Sequence, residues 1–142
     1  MNQIKFYALG GLGDNGKNLY VVEINSKIII LDCGLQHPSN DLLGVDALVA
    51  DISYLISRKS DIKGIFLSHA HDKNIGALPL LLSQFDTPVY GTDYTIAIAR
   101  DLLRENKLDP EKLNLNVVEY KKIIKFDDFY VEFFATTHSV PL

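Results

Sequence analysis

The run Ser68-His69-Ala70-His71-Asp72-Lys73-Asn74, delivered by the apolar stretch Ile65-Phe66-Leu67, concentrates the side chains able to do chemistry. Residues i and i+2 of an extended segment point to the same side, so His69 and His71 can offer two imidazoles to one cation. A further histidine, His138, closes a second apolar stretch, Phe129-Tyr130-Val131-Glu132-Phe133-Phe134-Ala135-Thr136-Thr137. If the two strands are neighbours, a third imidazole emerges at a strand end beside the first two. Three imidazoles plus a water form a catalytic zinc arrangement. Taken alone, His138 reads as a hydrogen-bonded surface residue; the His-x-His pair followed by Asn74-Ile75-Gly76-Ala77-Leu78-Pro79 is the more specific signal. Asp32 ends the apolar run Ile28-Ile29-Ile30-Leu31, where its carboxylate could equally turn back onto loop amides.

Two glycine patterns invite phosphate readings that their context excludes. Gly11-Leu12-Gly13-Asp14-Asn15-Gly16 fits a dinucleotide fingerprint, and Gly11 to Asn18 fits a P-loop apart from Asn18 at the Ser/Thr position. Both require a helix whose amide N–H groups meet the phosphate. Here Leu19-Tyr20-Val21-Val22-Glu23-Ile24 is strand-like, so the segment reads as strand, loop, strand. The loop residues Asp14, Asn15 and Lys17 are candidates for substrate contact or members of a permissive hairpin loop.

The elements that must carry these residues follow from periodicity and turn signals. Strands are expected near 3–9, 18–24, 27–32, 63–67, 87–90, 115–120 and 128–136. Helices are expected near 46–58, where Val45, Leu48, Val49, Ile52, Leu55 and Ile56 recur at helical spacing, near 75–84, and near 93–106 behind Asp93 as N-cap. No repeat or linker interrupts the order, which is α/β (α+β).

Composition is that of a globular chain: 142 residues, 47% hydrophobic and 23% charged. The apolar stretch around Ile75 to Leu82 is far short of the ~20 residues of a membrane span, and the N-terminus carries no signal-peptide pattern. A single cysteine, Cys33, excludes an internal disulfide and suits a cytoplasmic location. A net charge of −4 argues against a general nucleic-acid-coating surface; Lys121, Lys122 and Lys125 form one tight basic cluster, which reads as a solvated strand rim.

The histidine run resembles the His-x-His-x-Asp-His motif of the metallo-β-lactamase superfamily. Several flanks resemble more narrowly the ribonuclease J family of its β-CASP group: Phe6 to Glu23, Asp32-Cys33-Gly34, Leu42-Leu43-Gly44-Val45-Asp46, Pro88-Val89-Tyr90-Gly91-Thr92 and Thr136-Thr137-His138-Ser139. That resemblance implies an αββα sandwich and a di-metal hydrolase cutting RNA phosphodiesters as 5′ exonuclease and endonuclease, in messenger decay and ribosomal RNA maturation. It places His69, His71 and His138 as ligands of a first metal, zinc, and Asp32 as the acidic residue supporting them. The family's second-metal Asp-His pair falls on Lys73 and Asn74, both degenerate.

A protonated Lys has no acceptor, and Asn offers a neutral amide oxygen where a borderline-soft cation prefers imidazole. A second divalent ion about 4 Å from an ammonium would meet several kcal/mol of repulsion even at an effective dielectric of about 20. The resemblance therefore implies one zinc ion at most, with weak or lost hydrolysis, or a non-catalytic RNA-binding or scaffold paralogue paired with a homologous nuclease subunit. The chain stops four residues past His138, before the family's remaining ligands and RNA-gripping second domain, so residues 1–142 are expected to form the N-terminal portion of the metallo-β-lactamase domain.

Overall fold

The computed structural model describes residues 3–140, so Met1 and Asn2, read as leading into the first strand, lie outside them, as do Pro141 and Leu142. Six strands form the main sheet, in the order β1-β2-β3-β6-β7-β8. Strands β1 (Ile4–Gly10), β2 (Leu19–Ile24) and β3 (Lys27–Leu31) are an antiparallel meander. β6 (Ile62–Phe66), β7 (Val89–Gly91) and β8 (Leu115–Val117) continue it in parallel, reached through helical crossovers. Two small antiparallel pairs complete the set: β4 (Leu35–Gln36) with β5 (Leu48–Val49), and β9 (Ile123–Lys125) with β10 (Tyr130–Glu132).

Alternation along the strands sorts the two sheet faces. Leu19 and Val21 of β2, Ile28 and Ile30 of β3, and Ile65 of β6 are buried in one cluster with Leu55 of α1 (Ser53–Ser57), Leu78 and Leu81 of α3 (Leu78–Gln84), and Ile96, Ala99 and Leu103 of α4 (Asp93–Glu105). The opposite face presents Phe66, whose ring meets Tyr90 at 4.8 Å, Phe126 at 6.2 Å and Phe133 at 6.3 Å between centroids. The β9–β10 hairpin thus lies over that face as a second, two-stranded layer, and a cavity of about 410 Å³ between the layers reaches Asp32 and Ser68. This is a mixed α/β architecture covering the N-terminal part of the expected sandwich.

The expected strands 115–120 and 128–136 are shorter, Leu115–Val117 and Tyr130–Glu132, and three helix expectations need correction. Residues 46–58 are not one helix, because Leu48–Val49 pairs with Leu35–Gln36 and only Ser53–Ser57 is helical. The Asp51 carboxylate accepts the Ser53 backbone N–H at 2.9 Å, a side-chain turn that makes the helix begin there rather than earlier. The expected 75–84 helix starts sooner and is broken: α2 (Asp72–Ile75) ends at Gly76 and α3 follows from Leu78. Asp93 is the first residue of α4 rather than its cap, which is Thr92. The glycine-rich segment does join two strands, with Gly11 and Gly13 at φ +81° and +74°, a backbone that glycine adopts without strain.

Candidate metal centre

Strands β3 and β6 run side by side in parallel, and the site is built where their carboxyl ends meet. The Asp32 backbone N–H donates to the Phe66 carbonyl at 3.0 Å, carrying the pairing one residue past β3. Asp32 then adopts φ +60°, a left-handed conformation that Asp tolerates better than most side chains. In this position its carboxylate accepts the Ser68 backbone N–H at Oδ1 and the Ser68 hydroxyl at Oδ2, both at 2.8 Å. Asp32 is buried, and burial pushes its carboxyl up from the ordinary range while these hydrogen bonds oppose the shift.

The network continues into the histidines. With the Ser68 hydroxyl donating its hydrogen bond to Asp32, its oxygen accepts from His69 Nδ1–H at 2.9 Å. That assignment puts the His69 proton on Nδ1 and leaves the Nε2 lone pair facing outward, toward His71 Nδ1 at 2.9 Å. His138 approaches from the other layer, its ring centroid 4.2 Å from that of His69 and 4.9 Å from that of His71. One nitrogen from each of the three rings lies within 4.8 Å of the other two. The third imidazole does not arrive from a neighbouring strand: β10 pairs with β9, and an unpaired extended run from Phe133 brings His138 over the carboxyl end of β6.

Burial grades outward across the trio, from buried His69 through half-buried His71 to exposed His138. Burial, reinforced by the charges of His138, His71 and Lys73, pulls the His69 imidazole down to about 4, so it is neutral at neutral pH and able to give its lone pair to a cation. Two nitrogens bound to one tetrahedral zinc at about 2.0–2.1 Å stand about 3.3 Å apart, close to the observed His69–His71 separation. The donor set fits one borderline-soft divalent ion.

The two positions that the motif gives to a second ion carry other chemistry here. Lys73 presents an ammonium, and its Nζ lies 3.5 Å from Asn15 Oδ1. Asn74 is buried and aims its amide away from any cation, donating to Asp32 Oδ2 at 2.7 Å, while its own Oδ1 has no partner among the described residues. Asp72, one position from the motif's carboxylate, is turned outward and meets His37 Nε2 at 3.3 Å. Both the Asp72–His37 pair and Ser68's link between Asp32 and His69 escaped sequence reading, although Ser68, as the hydroxyl residue next to the first histidine, carried the signal. Of the glycine-rich loop, Asn15 reaches this region, whereas Lys17 and Asp14 pair with each other at 3.1 Å. Cys33 is buried as a small apolar residue. Lys121, Lys122 and Lys125 are exposed around β9, with Lys122 3.6 Å from Glu119, consistent with a solvated rim.

Comparison with known proteins gives this arrangement its frame. Residues 12–140 match the model of the metallo-beta-lactamase superfamily. The chain is 46% identical over 138 residues to ribonuclease J2 of Bacillus subtilis (strain 168), covering 97% of this chain and 25% of that protein. It is 45% identical over 141 residues to a ribonuclease J 2 of Streptococcus pyogenes serotype M3, covering 99% of this chain and 26% of that protein. It therefore spans about a quarter of the length of the curated relatives it matches. Among solved structures, a protein of unknown function from Enterococcus faecalis V583 aligns with TM-score 0.65 at 19% identity, over 91% of this chain and 36% of that one. The chemotaxis sensor ODP, in a peroxy diiron form, aligns with TM-score 0.53 at 18% identity, over 87% and 45%. Those two likenesses speak for the fold alone. The matched span contains the whole histidine cluster and the Asp32 network behind it, and the chain belongs to the metallo-beta-lactamase superfamily, with homology to the ribonuclease J proteins along nearly all of its length.

Proposed function

We propose that this chain is the part of a ribonuclease J-type RNA hydrolase that builds a single zinc site, with His69, His71 and His138 as ligands and Asp32 as the residue that sets the first of them. The observation that carries this reading is the convergence of three imidazole nitrogens within 4.8 Å of one another, backed by a hydrogen-bonded carboxylate. A zinc ion in that position supplies Lewis acidity toward a phosphoryl oxygen and water.

The chain's own residues prepare the site. Asp32 accepts a hydrogen bond from the Ser68 hydroxyl, whose oxygen accepts one from the His69 Nδ1–H, and His69 is thereby held in the one tautomer whose Nε2 lone pair is free for an ion. The run that follows β10 places Phe133 and Phe134 on the wall of the cavity that reaches Asp32. Because Lys73 and Asn74 do not accept a second ion, hydrolysis by this site is expected to be weak. RNA as substrate, together with roles in messenger decay and ribosomal RNA maturation, rests on homology to ribonuclease J proteins. A cytoplasmic setting is supported by the unpaired, buried Cys33.

Zinc titration calorimetry on the purified chain, with His71→Ala beside it, is the decisive experiment. Binding abolished by the substitution supports the reading, and its absence in the unsubstituted chain overturns it. A second reading is favoured by Lys73 and Asn74 themselves: a non-catalytic RNA-binding or scaffold paralogue that pairs with an active nuclease subunit. Lys73→Asp combined with Asn74→His separates the two, since a gain of RNA cleavage marks a nuclease lacking only its second ion.

A further inference from the structure

A second cavity, of about 310 Å³, opens directly against the metal centre, sharing His71 as part of its wall with Asn15, Gln36, His37, Asp72 and Lys73. Its two formal charges, the Asp72 carboxylate and the Lys73 ammonium, do not pair with each other. The Asp72 carboxylate is engaged by His37 at 3.3 Å, whereas the Lys73 ammonium forms no ion pair among the described residues. Among the described residues the one hydrogen-bond partner of that ammonium, Asn15 Oδ1, stands at 3.5 Å, the outer limit of a hydrogen bond. Ammonium carries three donors and no acceptor, so the cavity holds an unspent cation with donors to share. Gln36, on the same wall, has a buried amide oxygen with no partner among the described residues, and exchanging its amide O and N would present N–H₂ donors there instead.

The backbone that carries the cation is also held in place. The Lys73 carbonyl accepts the Asn18 backbone N–H at 3.0 Å, and the Asn74 carbonyl accepts the Cys33 N–H at 2.7 Å. The backbone is pressed so close to Gly34 that a Cβ there would fall 1.6 Å from the Lys73 carbonyl oxygen. Lys73 therefore starts from a fixed position and sends a positive charge into a polar recess one step from a metal ligand. A compact anion with several acceptor oxygens matches that recess.

We propose that Lys73, with Asn15 and Gln36 as amide partners, forms a phosphate-binding subsite that receives a phosphate of a bound RNA strand beside His71. The identity of the anion rests on the reading of the neighbouring histidine cluster as an RNA site. In this arrangement the strand is anchored by a side-chain charge, which positions phosphate without any second ion.

The test is fluorescence anisotropy with a short single-stranded RNA, 5′-phosphorylated or 5′-hydroxyl, against the wild-type chain, Lys73→Gln and Lys73→Arg, with zinc calorimetry on the same preparations. Lys73→Gln is expected to weaken binding about tenfold and to flatten the dependence of log K on log salt by about 0.7, the loss of one phosphate contact on a single strand, while Lys73→Arg keeps both. A loss confined to the 5′-phosphorylated RNA assigns the subsite to a terminal phosphate, and a loss with both RNAs assigns it to an internal one. Equal affinity and equal salt slope for wild type and Lys73→Gln, with zinc binding intact, overturn the subsite and leave the metal reading standing. Lys73-dependent RNA binding without zinc binding does the reverse.

Discussion

Two buried carboxylates anchor opposite ends of the same sheet, and they are satisfied in opposite ways. Glu23 of β2 faces the helix layer, where its Oε2 accepts from Arg58 at 2.9 Å, Tyr54 at 3.1 Å and Tyr7 at 3.3 Å, with Lys5 3.7 Å from Oε1. The guanidinium, first among these, holds the Glu23 carboxyl below its ordinary range. Asp32, beyond the far end of β3, receives three hydrogen bonds and none is from a charged group: the Ser68 amide, the Ser68 hydroxyl and the Asn74 amide. Burial accordingly pushes its carboxyl up. One end has closed its electrostatics within the chain and serves stability; the other leaves a negative charge unmatched, beside three imidazoles, in a state that a bound cation would complete.

Replacing the cation at the closed end should give the largest change. Arg58→Ala strands a buried carboxylate and is expected to cost about 3 kcal/mol or more in urea denaturation, while leaving zinc affinity as it was. At the open end the pattern should invert. Asp32→Asn is expected to lower zinc affinity roughly 10- to 100-fold in calorimetry, yet to leave the metal-free chain as stable as wild type, since it removes a charge that burial disfavours. A matching loss of stability in Asp32→Asn would erase the distinction between the two ends. Asn74→Ala withdraws a single donor from Asp32 and should weaken zinc by about tenfold, a smaller effect through the same chain of hydrogen bonds.

The smallest signal is in acid, and it has opposite signs at the two ends. Glu23 is depressed in the folded state, so its contribution is present above its unfolded value of 4.5 and is lost as pH falls below that through the folded value. Asp32 is raised, so in the metal-free chain its ionisation subtracts stability as pH climbs from 3.8 through the folded value. Thermal melts between these limits should show Glu23→Gln flattening the acid loss and Asp32→Asn removing the opposing slope.

The same contrast decides what could be read from sequence. His69 and His71 announce the open end because their i, i+2 spacing on a strand exit is itself the geometry, whereas Asp32 was legible only through the family resemblance, its place beside them depending on the adjacency of the parallel strands β3 and β6. His138 was legible as a ligand type but not by its route, since nothing in Phe129 to Thr137 tells a continuing strand from an unpaired run laid across another layer. The closed end was silent: Glu23 sits in alternation with Leu19 and Val21, and only the partners brought from α1 explain why a carboxylate occupies an apolar position. Residues 46–58 misled because their helical spacing coincided with a short strand, a side-chain turn at Asp51 and a helix of five residues.

The clasp around Gly34 bears on how such a site can change over generations. Because the main chain at Lys73 and Asn74 is gripped by Asn18 on one side and by Cys33 and Gly34 on the other, its course is set by neighbours rather than by the side chains it carries. Residues at these two positions can be exchanged while the scaffold stays put. The backbone here can thus carry a lysine and an amide, or the pair that the superfamily motif places there, on the same course. The reverse would not hold at Gly34, where any side chain would push the whole segment out of register and take the histidines with it.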